Sequence, residues 1–161
     1  MPSASHPIAK GQASHHLGAY AFRSYAQSHV GCVRTLNEDA CLERSADGLW
    51  AVADGMGGHA AGDIASQEVI RELARVSDFS SAFAFRRSVR NALFRANAVL
   101  QRIAMRELLD TVGSTAVVLM AYDGHYACTW AGDSRAYLLR SGVLKRITTD
   151  HSLAAELVAT G

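Results

Sequence analysis

A carboxylate set among glycines is where this 161-residue sequence first concentrates chemistry. Leu49, Trp50, Ala51, Val52 and Ala53 form an apolar run that ends in Asp54-Gly55-Met56-Gly57-Gly58-His59. An apolar run bounded by turn residues predicts a buried strand, with Asp54 where its backbone opens toward a cleft. A carboxylate there is costly unless it is paired or holds a cation. Gly55, Gly57 and Gly58 allow a sharp turn and a close approach of backbone carbonyls to a ligand. Carboxylate and carbonyl oxygens suit magnesium, manganese or calcium. A metal site centred on Asp54 is one reading of the stretch; a plain Asp-Gly turn is the other.

Two further places carry charge in confined settings. Arg34, Asn37, Glu38 and Asp39 crowd a guanidinium and two adjacent carboxylates into six positions. Arg34 offers a planar donor fork that matches a phosphate, and Glu38 and Asp39 offer oxygens to a cation or its waters. A solvated charged loop is the alternative. Asp133, in Gly132-Asp133-Ser134-Arg135, falls between two apolar segments; it either faces a cation or pairs with Arg135.

The elements that must position these groups follow from the pattern. Ala40–Arg44 and Trp50–Asp54 read as two strands joined by the turn Ser45-Ala46-Asp47-Gly48, a hairpin. Its pairing places Glu38 and Asp39 beside Asp54, and carboxylates that close need a cation between them. Gly62 to Val76 reads as a helix with Ala65, Val69 and Leu73 on one side and Asp63 in its first turn. A longer helix is predicted from Ser80 or Ser81 to Leu109. Its apolar stripe is Val89, Leu93, Ala96, Leu100, Ile103 and Ala104, with Arg86, Arg87, Arg90, Arg95 and Arg102 mostly off it as a solvated face. Four strands follow: Val117–Met120, His125–Trp130, Ala136–Leu139 and Val143–Ile147. Before the hairpin, Tyr20 and Phe22 alternate with Ala19, Ala21 and Arg23, which predicts a half-buried strand within Gly18 to Ser28. Leu153 to Val158 could open a third helix.

Composition narrows the class. A hydrophobic content of 49% supports a packed core, and the length suits about one domain. The net charge of +1, with no Lys/Arg block, gives no reason to expect nucleic-acid or membrane binding. Cys32, Cys41 and Cys128 are scattered and odd in number, so neither zinc nor a disulfide framework is expected. They read as reduced thiols of a cytoplasmic protein. No apolar stretch approaches the ~20 residues of a membrane span, and the N-terminus lacks the apolar region of a signal peptide. Residues 1–17 read as a flexible tail.

Arg34-x-x-Asn37-Glu38-Asp39, Asp54-Gly55-Met56-Gly57-Gly58, Gly113-Ser114-Thr115-Ala116, Gly132-Asp133-Ser134-Arg135-Ala136-Tyr137 and Thr149-Asp150-His151-Ser152 occur in that order. Together they resemble the bacterial form of the metal-dependent protein phosphatases, the PPM or type 2C serine/threonine family, over about Gly18 to Gly161. The resemblance implies an α+β fold, an α-β-β-α sandwich of two antiparallel sheets flanked by helices, incomplete at its C-terminal end. Residues 18–161 would be the N-terminal two-thirds of that domain. It implies two or three Mn2+ or Mg2+ ions at one edge of the sandwich. Asp54 matches the bridging carboxylate and Gly55 the residue whose carbonyl binds a metal. Glu38 and Asp39 match ligands or holders of metal-bound water, Asp133 a contributor to a third metal, and Arg34 the phosphate clamp. Asp54 and Arg34 are then the catalytic pair. A metal-activated water attacks phosphorus directly, so Cys32 is expected as a packed thiol and not as a nucleophile. Met56 stands where eukaryotic members have a histidine.

The implied activity is hydrolysis of phosphoserine and phosphothreonine in proteins that are substrates of a bacterial Ser/Thr kinase, by a monomer. Complete family domains run roughly eighty residues further and carry two more metal-binding aspartates. Glu156, the last carboxylate after Asp150, has the wrong context for that role. Reduced activity is therefore expected, with an inactive phosphatase-like module that binds a phosphoprotein or partner as the alternative, and a homo-oligomer completing the sheet in trans as a third reading.

Overall fold

The structure, a computed structural model, describes residues 17–18, 20–57 and 61–151. Its centre is an antiparallel hairpin of β1 (Asp39–Arg44) and β2 (Leu49–Gly57), closed by a 3-10 turn over Ser45–Asp47. Gly48 ends that turn at φ +65°, and a Cβ there would lie 2.6 Å from the Ala121 carbonyl, so glycine suits the position on both counts. Then come α1 (Ala61–Ala74), α2 (Ala82–Glu107), β3 (Val112–Ser114), β4 (Ala116–Tyr122) and β5 (His125–Ala131). One five-stranded antiparallel sheet runs β1-β2-β4-β5, with β3 also paired to β2. A separate antiparallel ribbon pairs β6 (Tyr137–Arg140) with β7 (Val143–Arg146).

Alternation in β2 decides which face is buried. Leu49, Ala51 and Ala53 point into the core, while Val52 and Asp54 are exposed on the other face. The core joins those three to Ala116, Val118 and Met120 of β4, Val69 and Leu73 of α1, and Phe85, Val89, Ala92 and Ala96 of α2. Both helices thus lie on one face of the sheet. Arg44 anchors the end of α1: its guanidinium donates to the carbonyls of Ala74 and Val76 at 2.8 Å each, where unpaired helix carbonyls favour a cation. Ser81 caps α2 by accepting from the Ala84 amide at 3.1 Å.

The α+β architecture with antiparallel sheets agrees with the sequence reading. The helices end within two residues of the expected bounds for α1 and α2, α1 stopping at Ala74 because its last turn tightens into a Val76 to Leu73 bond of 3.1 Å. One element differs. Residues 20–28 form no strand, because among the described residues no strand pairs with them. Their alternation reflects side-chain contacts instead: Phe22 packs edge-on against Trp50 at 5.1 Å, and Ser24 donates to Glu43 at 2.5 Å. The helix expected over 153–158, and most of the expected tail, lie outside the described residues.

Candidate active site

Asp54 occupies the β2 position where regular pairing changes hands. Along β2, Leu49–Val52 pair with Met120–Val117 of β4, and Gly55–Gly57 pair with Ser114–Val112 of β3, in one continuous register. The gap falls at Thr115. Its amide donates to the Asp54 carbonyl at 2.8 Å, and its hydroxyl accepts from the Asp54 amide at 3.0 Å. Ser114 Oγ also donates to the Asp54 carbonyl, at 3.1 Å. Side-chain hydroxyls thus hold the Asp54 backbone where β3 passes into β4. The Thr115 and Ser134 hydroxyls share a 2.7 Å hydrogen bond, which ties this point to the loop that carries Asp133. Gly132 enters that loop at φ +94°, and a Cβ there would meet Thr115 Cγ2 at 2.7 Å.

The first carboxylate pair forms as the hairpin predicts: Asp39 is the direct register partner of Asp54. Glu38 reaches the site from the other side. Its carbonyl accepts from the Gly55 amide at 2.9 Å. Gly55 and Gly62 permit close approach there. A Cβ on Gly55 would lie 1.8 Å from the Gly62 carbonyl, and one on Gly62 would lie 2.3 Å from Glu38 Oε1. Gly55 in β2 and Gly62 in the first turn of α1 therefore set how near Glu38 and Gly55 come to each other. Asp39 and Asp54 border a cleft of about 230 Å³ whose other lining residues include Ser28, Cys41 and Ser134.

Electrostatics show which charges act on Asp54. Its carboxyl is held above the ordinary aspartate range, first by partial removal from water, then by the negative charges of Asp39, Asp133 and Glu38; Arg34 opposes them. Arg34, Glu38, Asp39 and Asp133 therefore all bear on Asp54. They do not close around a point: among the described residues no three His, Cys, Asp or Glu side chains form a metal cage. The donor set nevertheless fits a hard divalent cation, since its members are carboxylates and a backbone carbonyl, and their mutual repulsion is what a cation relieves.

Two sequence readings are corrected. Arg135 does not pair with Asp133. It makes a two-point contact with Asp150, at 3.0 and 2.6 Å, because the β6–β7 ribbon brings the chain back past Arg135, where Thr148 Oγ1 accepts from the Ala136 amide at 3.1 Å. Cys32 is not packed: it lies exposed in a turn, and all three cysteines are free thiols. Met56 is 57% exposed beside the site, and His59 lies outside the described residues. The bracing by Ser114, Thr115 and Ser134 was not read from the sequence; small hydroxyl residues directly before the apolar run Ala116–Met120 were the available signal.

A family model described as protein phosphatase 2C matches residues 17–157. The serine/threonine protein phosphatase PstP of Mycobacterium tuberculosis is 37% identical over 140 residues, 86% of this chain and 27% of that protein. The serine/threonine phosphatase stp of Listeria monocytogenes is 36% identical over 115 residues, 68% of this chain and 46% of that protein. Among solved structures, PppA, described as a key regulatory component of T6SS in Pseudomonas aeruginosa, superimposes with a TM-score of 0.82 at 46% identity, covering 86% of this chain and 60% of that one. The PstP catalytic domain in complex with two manganese ions gives a TM-score of 0.73 at 37% identity, covering 84% of this chain and 58% of that one. The chain thus spans between about a quarter and a half of the length of these two curated relatives. With the family match over residues 17–157 and the antiparallel fold in agreement, the chain belongs to the protein phosphatase 2C family.

Proposed function

We propose that this chain is a phosphatase-domain portion that removes phosphate from phosphoserine and phosphothreonine in proteins. The observation that carries the reading is the register pairing of Asp39 with Asp54 at the open end of the hairpin, where the negative charges of Asp133 and Glu38 and the opposing charge of Arg34 also act. Asp54, with Asp39, Glu38, Asp133 and the Gly55 carbonyl, would hold Mn2+ or Mg2+. Bound there, the cations would supply a nucleophilic hydroxide by lowering the pKa of water. Arg34, which is exposed and whose charge acts on Asp54, would bind the substrate phosphate through its guanidinium fork, and the Thr115 hydroxyl would keep the Asp54 backbone fixed while charge accumulates beside it. Substrates are phosphoproteins made by a bacterial Ser/Thr kinase, met by a cytoplasmic monomer; no described helix is long and apolar enough to cross a membrane.

Reduced turnover is part of this reading; a second reading is an inactive module that binds a phosphoprotein through Arg34, which is exposed and in no ion pair among the described residues. Phosphate release from a phosphothreonine peptide, with and without millimolar manganese, separates them. Manganese-dependent release that disappears in Asp54→Asn supports the enzyme. Peptide binding that depends on Arg34, with no release from folded protein, supports the module.

A further inference from the structure

The outward face of α2 is unusually composed for a solvated helix. Of the chain's sixteen Lys and Arg residues six lie on α2, all arginine, against one acidic residue, Glu107; Arg95 is bonded to Glu72 of α1 and Arg106 to Glu107. Phe83, Phe94 and Met105 recur every eleven residues and are 73%, 65% and 69% exposed. Eleven residues are about three turns at 3.6 per turn, so these three large apolar side chains form one line, opposite the buried Phe85, Val89, Ala92 and Ala96. At ~1.5 Å per residue the line runs about 33 Å. Arg86, Arg87 and Arg90 stand between the two phenylalanines. Arg87 lies over the Phe83 ring at 5.8 Å and reaches Asp78 only at 3.9 Å. Arg86 and Arg90 make no ion pair among the described residues. Phe83, Arg86, Arg87 and Arg90 line a groove of about 170 Å³, and a second, of about 270 Å³, opens on the other side of Phe83 toward Tyr126 and Ala127 of β5.

We infer that this face docks an acidic amphipathic helix of a partner protein. Charge complementarity selects the sign: unpaired guanidiniums on one face favour carboxylates, which they can meet in bidentate geometry. The spacing selects a helix. Apolar side chains three turns apart on one line match the i, i+4, i+7, i+11 row of a facing amphipathic helix and present aromatic anchors to it. Nucleic acid fits less well, because the three arginines span little more than one turn and the rest of the line is apolar, where a phosphate backbone needs contacts along its length. A membrane surface fits less well because the continuous apolar side of α2 is already spent on the core. The inference does not rest on the phosphatase site.

The probe is a fluorescein-labelled 22-residue helical peptide of glutamate, alanine and leucine, with leucine at i, i+4, i+7 and i+11, titrated by fluorescence anisotropy into the full chain. Saturable binding that weakens with added salt is expected. Arg86→Glu with Arg90→Glu should weaken it about tenfold or more, as should Phe94→Ala. The milder pair Arg86→Gln with Arg90→Gln should move it in the same direction, and unchanged melting temperatures show that the variants are folded. A lysine version of the peptide should not bind. The inference is overturned by no binding to the wild-type chain, or by equal binding to the charge-reversed variant. Tighter binding of a 22-nucleotide single strand or of phosphatidylserine vesicles also overturns it, as does a dimer of this chain that Phe94→Ala dissolves.

Discussion

Asp39 and Asp54 stand directly opposite each other across the β1–β2 ladder, two carboxylates in register at the open end of one hairpin. Like charges so placed repel, and Asp133 and Glu38 add to the repulsion. In the metal-free protein the Asp54 carboxyl therefore titrates above its ordinary value. A raised folded value means that Asp54 favours the fold most when protonated, and that this contribution is lost as pH rises through the folded value. Asp54→Asn should leave the metal-free melting temperature unchanged or higher. Millimolar manganese should raise the melting temperature of the wild-type chain and not that of the variant. Scanning calorimetry with and without the ion checks both; a wild-type chain that manganese does not stabilise would sink the metal assignment.

Thr115 takes the place of a ladder residue at Asp54 and links it to Ser134. Thr115→Val keeps the shape and removes the hydroxyl, leaving the Asp54 amide without its acceptor. The cost should be about 1–3 kcal/mol in urea unfolding, with faster hydrogen exchange at the Asp54 amide than at Ala53. Unchanged exchange at Asp54 would show that the hydroxyl is dispensable.

Gly55 and Gly62 make a matched test of close approach. At Gly55 a methyl group meets a backbone carbonyl at 1.8 Å, which only a shift of α1 can relieve. Gly55→Ala should cost at least about 1–3 kcal/mol. At Gly62 the nearest atoms belong to the end of the Glu38 side chain, which can swing away, and alanine gains about 1 kcal/mol of helix propensity over glycine. Gly62→Ala should therefore change stability less than Gly55→Ala while weakening manganese binding measured by calorimetry, if Glu38 serves the metal.

Glu72 tests the packing between the two helices. It is buried on α1 and bonded to Arg95 of α2 at 2.6 Å and to Arg75. The Arg95 hydrogen bond is the first cause that holds its carboxyl below the ordinary glutamate value near 4.5. A depressed folded value contributes stability above the ordinary value, lost as pH falls toward the folded one. Glu72→Gln should cost about 1–3 kcal/mol at neutral pH, the lower end being favoured because both guanidiniums reach water. It should also flatten the stability profile below about pH 4.5. A variant whose acid profile matches the wild type would show that Glu72 does not carry this dependence.

Much of the frame was legible in the sequence for local reasons. The hairpin, the two helices and the tight turns show their period and their capping residues within a few positions, and the hairpin alone brings Asp39 to Asp54. The extended appearance of residues 20–28 misled on both counts: every residue there is exposed, so the alternation marks no buried side, and a strand also needs a partner with free backbone groups. Pairing of Asp133 with Arg135 is one of two alternatives in the sequence, and the β6–β7 ribbon excludes it by carrying Asp150 to Arg135.

What the sequence determined by itself is the chemical inventory at Arg34, Glu38, Asp39, Asp54, Gly55 and Asp133, together with the strands and turns that carry it, because residue type and short-range period are local properties. Only the tertiary structure decided that Thr115, itself tied to Ser134, holds the Asp54 backbone, that Gly62 limits the approach of Glu38, and that Phe83, Phe94 and Met105 face outward. Each of these depends on which distant backbone lies within a few ångströms, and that is set by packing the helices on one face of the sheet.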